Sequence, residues 1–248
     1  MIYVFLGGMR SVALTDVLQG ILMLCLMLLA VGVIANALGG FFAANQQAYK
    51  IEPELFSRAG INDFFTPKKW LSLMLLWSFT LPILPQIFMR FYTFNKLESL
   101  KISTILYPVT TTVLFLCPVI IGVWGHIAFP ELQGKVADQI LPLMLNKYTN
   151  YSLAAVIMVG ALAAFMSTLD SQLLALSSMI TRDLYLPYIR PQASLKEQTL
   201  IGRLLIIVLA IVGLIIAANP PSTIFAIATQ AFTGLTVLFP TVIVALYF

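Results

Sequence analysis

LAAVIMVGALAAFMSTLDSQLLALSSMITRDLY, residues 153–185, is the stretch on which the reading of this chain turns. Its first part, 153–162, is almost wholly apolar. Ser167, Thr168, Asp170 and Ser171 then follow with no proline or glycine to end the run. An apolar run that reaches about 20 residues can cross a bilayer as a helix. A carboxylate inside such a helix is costly, so it should face the protein interior and have a partner.

The rest of the chain reads the same way. Hydrophobic residues make up 60% of its 248 residues and charged residues 10%. A soluble domain carries about 25% charged residues. Runs over 12–38, 69–91, 103–129, 151–182, 198–218 and 223–248 are drawn as spans. The expectation is an all-α polytopic membrane protein of about six transmembrane helices, with the lipid bilayer as its first partner. The fourth span is too long to stand upright and should tilt or project. The net charge of +4 suits loops beside lipid and gives no reason to propose nucleic acid. Cys25 and Cys117 lie in apolar runs without metal-ligand spacing, so no disulfide framework is expected. His126, beside Trp124, reads as an interfacial residue. Residues 1–8 are too short for a signal peptide.

Loops separate the spans. Asn219-Pro220-Pro221-Ser222 stops one helix and restarts another, with serine as the expected cap. Residues 41–67 form a polar loop that could carry a short surface helix. Residues 130–150 form another, amphipathic around 137–145, and 187–196 a third. Of the 14 lysines and arginines, eight fall on the side of Arg10, Arg90 and Arg182, and six on the side of Lys50 and Lys135. The first group sits in shorter loops near span ends, where positive charge marks the cytoplasmic side. Met1, Asn95 and Pro187 are therefore placed in the cytoplasm, and the 41–67 and 130–150 loops outside. Trp70, Trp124 and Tyr148 would line the outer interface.

Two irregularities stand out within the spans. The second contains Pro82 and Pro85, three apart, which should kink or break the helix at membrane depth. The result is either a plain kink or a break whose freed carbonyls face a wet cavity. The other irregularity is acidic. Asp16 lies near the start of the first span, where it could flank the first turn and pair with Arg10. Asp170 lies deep in the fourth, with no lysine or arginine at comparable depth along the sequence, so a bound cation is a natural counter-charge. Residues three and four apart share a helix face. Ala164, Thr168, Ser171, Ala175 and Ser178 therefore form one small-residue stripe, and Ser167, Asp170 and Ser171 an overlapping one. Such stripes serve close helix packing. They could equally offer oxygens to a hard cation such as sodium, with the Ala164 carbonyl and the Ser167 and Thr168 hydroxyls on one turn.

These residues carry a family resemblance. AAFMSTLDSQLL (163–174), followed by TRDLY (181–185), resembles the signature of the sodium:solute symporter family, whose members include sodium/proline, sodium/glucose, pantothenate and sialic acid transporters. GGMRSVALTDVLQ (7–19) is a second match, and Pro85-Gln86 followed by Arg90 a weaker third. The motifs fall in the family's order, and the resemblance covers essentially the whole chain.

The resemblance implies a partial leucine-transporter-like inverted-repeat fold, comprising the last helix of repeat one and the whole of repeat two. It implies a single transmembrane domain over 1–248, incomplete because the family's N-terminal helices are missing. The implied function is sodium-coupled symport of a small organic solute across the plasma membrane by alternating access, with sodium as coupling ion and no catalytic residues. Sodium would bind at Ala164, Ser167 and Thr168. A second cation site would use Asp16, Ser167, Asp170 and Ser171, although Asp170 stands where the best-described relative has a hydroxyl. Gln86 and Gln230 fall where relatives contact solute, and Pro82 and Pro85 on the discontinuous helix. A separately encoded N-terminal half is a further implied partner. The alternatives are a transmembrane sensor module and a non-functional structural fragment.

Overall fold

The computed structural model describes residues 2–94 and 96–247, with side chains from residue 7 onward. Met1 and Asn95, assigned above to the cytoplasmic side, and Phe248 at the end of the sixth span lie outside the described residues. Helix is the only regular structure among those described. The helices are α1 (Ile2–Ala37), α2 (Phe41–Ile51), α3 (Pro67–Ile83), α4 (Pro85–Phe91), α5 (Leu97–Ala128), α6 (Ile140–Tyr148), α7 (Tyr151–Met179), α8 (Leu195–Ala218), α9 (Ile224–Thr236) and α10 (Phe239–Tyr247). Five stretches are long and apolar enough to cross a membrane, and α3 with α4 makes a sixth broken one. The chain is therefore an all-α multi-pass membrane protein. Large apolar residues such as Val109 and Leu214 are exposed along α5 and α8, as lipid-facing positions are.

Local chemistry explains the element ends. The second span breaks at Leu84 (φ −56°, ψ 123°), one residue before Pro85. The proline ring disfavours the helical region for the residue preceding it. Pro85 then opens α4, where its missing N–H costs nothing. Pro82 stays inside α3. In α1 the helix is interrupted at Gly8, whose φ of 57° and ψ of −148° only glycine adopts readily.

Beyond Met179, residues Ile180–Ile189 continue α7 as a π-helix. Pro187, expected in a loop, thus lies inside a helical turn. The wider winding closes with the Arg190 N–H on the Tyr185 carbonyl, five residues back. The cap of the last span is Thr223, one residue after the expected Ser222. Its extended backbone lets the hydroxyl accept the Ala226 N–H at 3.3 Å. Asp138 Oδ2 accepts the neighbouring Ile224 N–H at 3.0 Å, so two of the helix's orphan donors are satisfied.

The chain divides into two compact units. One comprises Leu22–Ile83, Phe94–Leu162 and Ser222–Phe248. Its core gathers Ile34, Ile121, Trp124, Met144, Leu145 and Ile157, all at most 1% exposed. Trp124 is therefore a core residue and not the interfacial one its place at a span end suggested. Helix α2 folds against α5, and Asn45 Oδ1 accepts the Trp124 indole N–H at 3.0 Å. Trp70, by contrast, is exposed. Elsewhere in this unit α3 packs on α9 and α10. Trp77 meets Phe232 edge-on, Phe79 stacks on Phe239, and buried Thr80 donates to the Phe232 carbonyl at 3.2 Å while touching the Thr236 hydroxyl.

The other unit comprises Met1–Ile21, Leu84–Thr93 and Ala163–Pro221. Its apolar centre is small, built on Val12, Leu173 and Ile206. Leu84, Ala163, Ala175 and Ala193 are buried as well, and with them the polar side chains of Asp170, Ser171, Ser177 and Thr181.

Candidate cation site on α1, α4 and α7

Of the residues singled out from sequence, Asp16, Pro85, Gln86, Ala164, Ser167, Thr168, Asp170 and Ser171 fall in this second unit, and Pro82 and Gln230 in the other. Helix α7 supplies most of them. Its buried face runs through Asp170, Ser171, Leu173, Ala175, Ser177 and Thr181. These positions occupy two adjoining rows three and four residues apart, as helical geometry requires. Asp170 is 2% exposed and Ser171 8%. Ser167 is half-buried and Thr168 exposed.

The hydroxyls along α7 largely bond to their own helix. Thr168 Oγ1 donates to the Ala164 carbonyl at 3.1 Å. Ser177 and Ser178 both donate to the Leu174 carbonyl, and Thr181 donates to that of Ser177 at 2.7 Å. This is the local back-bonding open to hydroxyls within helices. It places the Ala164 and Thr168 oxygens side by side, two of the three groups expected to hold sodium. Both are hard oxygen donors, which suits a hard cation.

Asp16 and Ser171 meet across helices. The Ser171 hydroxyl lies 3.4 Å from Asp16 Oδ2. Arg90, at the end of α4, joins them: its Nη2 donates to Asp16 Oδ2 and, at 2.7 Å, to Ser171 Oγ. One expectation is corrected here. Asp16 pairs with Arg90 and not with Arg10, which is exposed. A basic side chain thus reaches Asp16 from another helix. An arginine at a helix end can carry its charge a long way on its aliphatic stem. The other oxygen of Asp16, Oδ1, is buried with no hydrogen-bond donor among the described residues. Sequence reasoning used Arg90 only for orientation and as part of a motif. The available signal was its place one helical turn after a proline break.

Gln86 is half-buried on α4, and Gln230 is exposed on α9. A cavity of about 610 Å³ opens in the same unit as the Asp16 cluster, lined by Gly8, Ser177, Thr181, Arg182, Gln198 and Arg203 among others. Among the described residues no group of three histidine, cysteine, aspartate or glutamate side chains could hold a metal ion. Cys25 and Cys117 are both free thiols.

Ionisable groups held between membrane-spanning helices, beside a proline-broken span, are features of membrane proteins that move ions or polar solutes. Comparison with known proteins agrees. The Sodium:solute symporter family model matches residues 1–248, and the chain belongs to that family. It is 32% identical over 246 residues to the sodium/pantothenate symporter of Haemophilus influenzae, covering 98% of this chain and 50% of that protein. It is 29% identical to the osmoregulated proline transporter OpuE of Bacillus subtilis, covering 99% of this chain and 50% of the relative. The sodium/proline symporter of Escherichia coli is also 29% identical, with coverage of 94% and 47%. The chain thus spans about half the length of the curated relatives it matches. No solved structure matches it.

Proposed function

We propose that this chain forms part of a sodium-coupled symporter that carries a small organic solute across the plasma membrane. Family membership supports secondary transport, and the names of the relatives support sodium as the coupling ion. The observation that carries the site is the pair of oxygens at Ala164 and Thr168, one turn apart on α7, with Ser167 beside them. These three hold sodium in the proposed reading. A second cation site lies at Asp16, Ser167, Asp170 and Ser171. Gln86 and Gln230 contact solute. The break at Leu84 marks the discontinuous helix of a leucine-transporter-like inverted repeat. The repeat-one helices beyond α1 are supplied by sequence outside these residues, on the same or a separate chain.

Coupling is a reciprocal binding free energy. Sodium stabilises one arrangement of the repeats, solute binds better to it, and each ligand raises the other's affinity by the same factor. Alternating access follows when the two sites load and empty together. The test is the double variant Ser167→Ala with Thr168→Ala in the complete transporter. Uptake should lose its dependence on sodium, and unchanged sodium dependence would refute the site.

A further inference from the structure

We infer that Arg90 is a tethered cation that competes with sodium for the Asp16–Ser171 pair. The inference rests on the cation-site reading above and concerns only its second site. A single guanidinium nitrogen donates both to Asp16 Oδ2 and to Ser171 Oγ. Those are two of the oxygens a sodium ion would need there. The guanidinium brings a full positive charge to the pair.

The two partners differ in exposure. The Asp16 side chain is 12% exposed and the Arg90 side chain 44%. The carboxylate is held by the helices around it, while the guanidinium can swing into water from the end of α4. Withdrawal of Arg90 uncovers Oδ2 and the Ser171 hydroxyl beside an Oδ1 that has no donor among the described residues. The uncovered group is a set of hard oxygens bearing one negative charge, the donor type that sodium prefers. Sodium and Arg90 carry the same charge and cannot both neutralise Asp16 Oδ2. The site therefore takes sodium only in the fraction of molecules in which Arg90 has left.

That competition has a measurable size. Apparent affinity falls by the fraction of molecules competent to bind. If Arg90 holds the site about nine-tenths of the time, its removal lowers the half-saturating sodium concentration about tenfold.

The experiment measures thermal unfolding of the purified chain in lipid nanodiscs, with sodium chloride replacing choline chloride at constant ionic strength. Arg90→Gln should reach half of its sodium-dependent shift at about one-tenth of the wild-type concentration. Asp16→Asn in the Arg90→Gln background should abolish this low-concentration response, leaving only what the Ala164–Thr168 site gives. Thr168→Ala in the same background should leave it intact, because the response belongs to Asp16 and Ser171. A folded Arg90→Gln protein with wild-type sodium dependence overturns the proposal. Loss of its response in the Thr168→Ala background also overturns it, since the ion would then bind at Ala164 and Thr168. If Arg90→Gln does not fold, Arg90→Lys replaces it. The shorter ammonium cannot bridge both oxygens as well, so the half-saturating concentration should fall by a smaller factor. No change there counts against the proposal equally. Survival of the response in the Thr168→Ala background, alongside unchanged sodium dependence of uptake in the Ser167→Ala, Thr168→Ala transporter, would sink the first sodium site alone and leave Arg90's role standing.

Discussion

Asn45 and Trp124 show what one polar contact does inside an apolar core. The indole is fully buried and its N–H donates to Asn45 Oδ1. Phe41 packs edge-on against the same ring at 5.5 Å. Removing a partner from a buried donor leaves its desolvation uncompensated, at about 1–3 kcal/mol. Asn45→Ala should therefore lower the unfolding free energy by about that amount. Asn45→Asp, which keeps an acceptor oxygen in place, should recover most of it. Thermal unfolding of both variants in detergent checks this, and equal loss in the two would mean that the hydrogen bond is not what stabilises the contact. The same reasoning applies to Asp16. Among the described residues its buried Oδ1 has no donor, so Arg90 satisfies this carboxylate only in part.

At the scale of the element, helices in lipid gain little from the hydrophobic effect and associate by close packing. Gly160 on α7 is such a point. A Cβ added there would lie 2.6 Å from Leu26 Cβ on α1 and 3.5 Å from the Leu22 carbonyl oxygen. Gly160→Val must push the two helices apart and should cost about 1–3 kcal/mol, as overpacking of a fitted interior does. Gly202 on α8 makes the contrast. An added Cβ there would meet Thr181 Oγ1 at 3.6 Å, an ordinary contact. Gly202→Ala should be neutral or stabilise by about 0.5–1 kcal/mol, since alanine loses less entropy in a helix. Unfolding midpoints of the two variants, measured side by side, separate these outcomes. The proline break belongs to this scale too. It was legible in the sequence because the restriction that Pro85 places on Leu84 is local. The π-helical continuation of α7 through Pro187 was not, because nothing in the pattern of apolar residues separates a winding of five from one of four.

For the molecule as a whole, the arrangement of positive charge predicts an orientation. The 41–67 and 130–150 loops should face outward and the 187–196 segment inward. With Cys25 and Cys117 replaced by serine, a single cysteine at Ser57 should react with a membrane-impermeant thiol reagent in intact cells. A single cysteine at Gln192 should react only after permeabilisation. The reverse pattern would invert the orientation and move Arg90 to the outer side.

The sequence by itself determined that the chain is a multi-pass helical protein, where its spans lie, where the second breaks and which oxygens line α7. Each of these follows from hydropathy, helical period or the stereochemistry of proline, all of which act within a few turns of chain. Tertiary structure alone decided that Trp124 belongs to the core, because α2 brings Asn45 to it from 79 residues away. It alone decided that Asp16 pairs with Arg90, 74 residues on, and that both meet Ser171. A charge's partner is set by which helix ends and faces come within reach in three dimensions. Spacing along the chain carries no measure of that distance.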